Sequence, residues 1–85
     1  MKNLITFVNK RNAMSQLWGD PAWDLNNAED RKAIALRIDC ELSPENLHCD
    51  GEISHTQAMK KLRFLMACAK EMQKLDSTIE FYEVY

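Results

Sequence analysis

The sequence predicts a mainly α fold, a compact three-helix bundle with a short extended C-terminal segment. Three observations carry that reading. Apolar residues recur at helical spacing in three stretches. Two of the stretches are preceded by good N-cap residues, Asn27 and Ser54. Turn-rich segments at 20–26 and 43–53 separate the stretches. The alternative is a small α+β fold. Its C-terminal segment would pair as a strand with Leu4–Val8 or with Ile34–Leu42.

The first helix is expected from about Asn3 to Trp18. Leu4, Phe7, Val8, Met14 and Trp18 share a helical stripe with Arg11. Gly19 fits a helix C-cap, and Pro21 blocks continuation. Ile5, Thr6, Phe7 and Val8 favour sheet, which supports the competing strand. Trp18 and Trp23 flank the following turn and are expected to close over the end of the core. Left exposed, they would instead anchor an interface.

The second helix is expected from about Ala28 to Leu42. Asn27 caps it, and Glu29 and Asp30 complement the positive end of its dipole. Ile34, Leu36, Ile38, Cys40 and Leu42 nonetheless alternate at strand period. Length and alanine content decide for helix.

The third helix should run from Ser54 to about Leu75. Ser54 and Gln57 make a capping box, and Ile53 with Ala58 could form a hydrophobic staple. At about 100° per residue, its apolar side chains, from Met59 and Leu62 round to Phe64 and Leu75, cover an arc of roughly 220°. A surface helix needs a stripe only somewhat over about 100° wide. This helix is therefore expected to be covered on two sides, by two helices of the same chain or by a partner chain. The tail, Thr78 to Tyr85, is rich in β-formers and reads as a short extended segment or edge strand.

Eighty-five residues make one domain. Apolar residues at 46% and charged residues at 28% give a globular balance. Thirteen acids against 11 bases leave a net charge of −2, which offers no general attraction to nucleic acid or anionic membrane. The apolar run from Met1 to Val8 is too short for a signal-peptide core. Three cysteines without regular spacing point to free thiols in a reducing cytoplasm.

Both histidines and one cysteine fall between Ser43 and His55. Cys40, His48, Cys49 and His55 could offer zinc four nitrogen and sulfur ligands. Structural zinc sites bring ligands in close pairs on a tight turn. Here the close pair, His48 and Cys49, is adjacent, and adjacent side chains do not readily point at one ion. No metal or other cofactor is expected. Cys49 as a nucleophile beside His48 and His55 has nearness in sequence but no triad pattern. Asp39, Glu41, Glu45, Asp50 and Glu52 resemble an acid–base set only superficially, since acid–base work needs carboxylates held in a cleft. Asp50-Gly51 reads as a turn. Lys60, Arg63, Lys70 and Lys74 share one face of the third helix, which reads as a solvated face rather than a nucleic-acid surface.

The run from Leu42 to Lys70, with its Asp-Gly loop and capped helix, resembles small accessory proteins of tailed phages. The resemblance covers about a third of the chain. It implies a cytosolic setting during infection and no particular activity.

The expected function is that of a small non-enzymatic module that binds a protein partner and self-associates as a homo-oligomer, a modulator or inhibitor of a host or defence factor if the phage resemblance holds; the alternative is a zinc-stabilised or nucleic-acid-binding small domain. The residues expected to serve it are Met59, Leu62, Phe64, Met66 and Met72 of the third helix, with Phe81, Tyr82 and Tyr85 of the tail. A methionine-rich surface adapts to partners. Aromatic residues near a terminus either pack on the domain or dock on a partner.

Overall fold

The computed structural model describes residues 1–43 and 54–82. They form three helices, α1 (Lys2–Leu17), α2 (Ala28–Leu42) and α3 (His55–Leu75). No strand occurs among the described residues, so the mainly α reading holds and the α+β alternative does not. Both predicted caps form. The Asn27 side chain accepts from the Glu29 and Asp30 N–H groups at 2.9 and 3.2 Å. Ser54 and Gln57 make the reciprocal capping box, at 3.1 and 3.2 Å. His48, Cys49, Ile53 and Tyr85 lie outside the described residues.

The end of α1 is set by Gly19. Its φ of +79° is the left-handed conformation that only glycine adopts without strain. The Gly19 N–H then reaches the Gln16 carbonyl at 3.2 Å, and the Asp20 N–H reaches Ser15 at 3.0 Å. These two bonds define a Schellman motif. The chain turns back along α1, where Asn12 holds it. The Asn12 side chain donates to the Trp23 carbonyl at 3.0 Å and accepts from the Trp23 N–H at 2.8 Å. Arg11 lies over the Trp23 ring, 5.8 Å from its centroid.

Helix α2 resolves the conflict between helical and strand periods. Ile34, Ile38 and Leu42 are buried, four residues apart, while Leu36 is 66% exposed and Cys40 is exposed. That is one face of a helix, not one face of a strand. The alternation in the sequence comes from apolar residues on opposite faces.

α1 and α2 both pack against α3. Each runs antiparallel to it. Asn3 meets Glu71 while Lys10 lies near Lys61, and Arg31 meets Asp76 while Glu41 lies near Leu65. The core joins Leu4, Phe7 and Val8 of α1 to Ile34, Ile38 and Leu42 of α2 through Leu65, Cys68, Ala69 and Met72 of α3. The wide apolar arc of α3 is thus met by two helices of its own chain.

The C-terminal segment is coil rather than an edge strand over the described residues. Ile79 is buried in the core and Phe81 packs against it. Asp39, buried on α2, anchors the segment: both its carboxylate oxygens accept from the Tyr82 N–H at 3.1 Å.

Candidate functional site

The expected surface set divides by burial. Met72 is fully buried in the core, so it cannot line a partner surface. It faces α1 and α2 because it sits at the centre of the α3 stripe. Leu62, Phe64, Met66 and Phe81 are partly buried against the core. Met59 keeps 36% exposure, and Tyr82 is 79% exposed. Tyr85 is not among the described residues.

A larger apolar exposure stands at the end of α1. Leu17 and Trp18 are each 80% exposed, and Met14 is 55% exposed. At positions i, i+3 and i+4 they share one side of the helix. The expectation that both tryptophans close over the core holds for Trp23 alone. Trp18 is the C-cap residue of the Schellman turn, and at 80% exposure it is left largely uncovered by the described residues. Sequence periodicity placed Trp18 on the core stripe. It could not show that a residue at the very end of the helix leaves the core.

A second feature is a pocket of about 220 Å³ where α1, α2 and α3 meet. Phe7, Phe64 and Leu65 provide its apolar base, and Lys10, Arg11, Lys61 and Glu41 its polar wall. Arg11 Nε and Glu41 Oε2 are both buried without a hydrogen-bond partner. Glu41 Oε2 does lie 3.8 Å from Arg37 Nε, within ion-pair range but too far for a hydrogen bond.

The remaining ionisable groups with clear partners have structural roles. Burial pushes the Glu71 carboxyl upward. Hydrogen bonds from the Met1 amine, Leu4 and Asn3, with the amine's charge, outweigh that and hold it below its ordinary value. Asp76 is lowered chiefly by hydrogen bonds from Thr78, with help from Arg31. Burial, reinforced by the negative charge of Glu71, pushes the Cys68 thiol up to about 12. Such a thiol is protonated and inert at neutral pH.

For a metal, Cys40 lies exposed on α2 and His55 lies exposed at the first turn of α3. Among the described residues, no three His, Cys, Asp or Glu side chains come together in a way that could hold an ion. His48 and Cys49 fall outside those residues, so the four-ligand set is not described as a set. Lys60, Arg63, Lys70 and Lys74 are all exposed, as a solvated face requires. No helix among the described residues is long and apolar enough to cross a membrane.

No protein-family model, curated protein or solved structure matches this chain.

Proposed function

We propose that this protein is a small non-enzymatic module that binds another protein through the C-terminal end of α1. The observation that carries the reading is the exposure of Leu17 and Trp18, at 80% each, beside Met14. Tryptophan is the residue type most enriched at the energetic centres of interfaces. Two large apolar side chains left in water at a fixed helix end cost solvation with no return inside the fold. The structural roles of Glu71, Asp76, Asp39 and Cys68 support a non-enzymatic reading.

Self-association, expected first through α3, transfers to the same patch. α1 and α2 already occupy the centre of the α3 stripe. A second copy would therefore meet the chain at Leu17 and Trp18. The resemblance to tailed-phage accessory proteins would place the partner in an infected cytoplasm, as a host or defence factor.

The test compares wild type with the double variant Leu17→Ser/Trp18→Ser as bait in an extract of the native host. A supporting result is a protein retained by wild type, lost with the variant, and bound again when purified. Equal retention by both baits would remove the patch from the account.

A further inference from the structure

We propose that the pocket between α1, α2 and α3 binds a small amphipathic anion, an apolar body carrying one carboxylate. Its size, lining and charge each narrow the ligand. The volume is about 220 Å³. That is room for roughly seven waters at their liquid volume. It falls below the ~300–1,000 Å³ of sites for drug-sized ligands. A single ring with a short acidic arm fits, whereas a helix or a nucleotide does not.

The lining calls for an apolar body. Phe7 and Leu65 are nearly fully buried, and Phe64 packs on the core beside them. A ring placed on Phe7 and Phe64 gains aromatic contact and removes apolar surface from water.

The wall calls for negative charge. Lys10, Arg11 and Lys61 converge on the pocket against one carboxylate, Glu41, so the lining carries two net positive charges. Three basic side chains brought together from two antiparallel helices repel one another unless an anion lies between them. Arg11 adds an independent sign. Its buried Nε has no acceptor, and an unmet buried donor is costly. A carboxylate beside the guanidinium relieves that cost when the side chain turns toward it. This site is separate from the Leu17–Trp18 patch, and either can fail without the other.

The test uses 3-phenylpropionate as probe, with 3-phenylpropionamide as its neutral match, titrated into the full chain and followed by amide chemical shifts. The expected result is a saturable shift of the Phe7, Lys10, Lys61, Phe64 and Leu65 amides, at a Kd of about 1 mM. The amide should bind roughly fivefold more weakly. The double variant Lys10→Gln/Lys61→Gln leaves the core residues untouched and should keep the fold. It should weaken the carboxylate by about fivefold and leave the amide unaffected. Absence of these shifts at about 10 mM probe would overturn the proposal. So would equal binding of the two probes, or a double variant that binds the carboxylate like wild type.

Discussion

Glu71 of α3 caps the first turn of α1 at Asn3. Its Oε1 accepts from the Asn3 N–H at 3.0 Å and the Leu4 N–H at 3.4 Å, and lies 3.1 Å from the Met1 amine. Met1, the residue at the N-cap position, offers no side-chain cap of its own. Two of the orphan N–H donors of α1 are therefore met by another helix. The same contact sets the antiparallel register of α1 on α3.

The cap makes a pH prediction. Glu71 is lowered in the folded state, so its contribution is fully present above the ordinary carboxyl range. It is lost as pH falls through the lowered folded value. Glu71→Gln should cost about 1 kcal/mol at neutral pH, a fall in Tm of roughly 4–8 °C for a chain this short. The gap between wild type and variant should be smaller in acid, below the lowered folded value, than at neutral pH. Thermal denaturation at neutral and acid pH checks it, and an unchanged gap in acid would contradict the cap.

Helix packing of α2 separates two neighbouring apolar residues. Ile38 is fully buried and Leu36 is 66% exposed. Ile38→Ala should destabilise by about 2–5 kcal/mol. Leu36→Ser should stay within about 0.5 kcal/mol. For a domain of this size the first change threatens folding outright. Denaturant titration of both variants decides, and similar losses would argue for a strand-like face.

Asp39 predicts a local effect. Asp39→Ala removes both acceptors of the Tyr82 N–H. Hydrogen exchange at Tyr82 should speed by roughly tenfold, the equivalent of about 1.4 kcal/mol. Exchange in the centre of α3 should change less. Uniform acceleration along the chain would mean that Asp39 supports the whole core instead of the tail.

The architecture was largely legible in the sequence because the helix boundaries are written locally. Asn27, Ser54, Gln57, Gly19 and Pro21 act on backbone groups within a few residues of themselves, so sequence spacing reveals them. The contacts made by Glu71 and Asp39 were not legible. Each joins residues more than 40 positions apart, and neither carboxylate differs in type or spacing from its solvated neighbours. Burial on α3 fell between these cases. Its wide arc did require two covering surfaces, but periodicity could not say whether they were its own helices. Met72 consequently sits in the core, while Leu17 and Trp18, at the C-terminal end of α1, hold the exposure.

Thiol chemistry provides a further check. Cys68 is fully buried with its thiol pushed up to about 12, whereas Cys40 is exposed. Alkylation of the native protein at neutral pH, read by peptide mass, should modify Cys40 and spare Cys68 until denaturant is added. Comparable labelling of both in the native state would show that the α3 core opens readily.

Fluorescence of Trp18 itself reads whether this residue anchors an interface. In a Trp23→Phe background Trp18 is the sole tryptophan. Titration with the partner captured by wild type should shift its emission to shorter wavelength as the indole leaves water, in proportion to the complex formed. Complex formation with unchanged emission would place the partner elsewhere on the molecule and contradict the account.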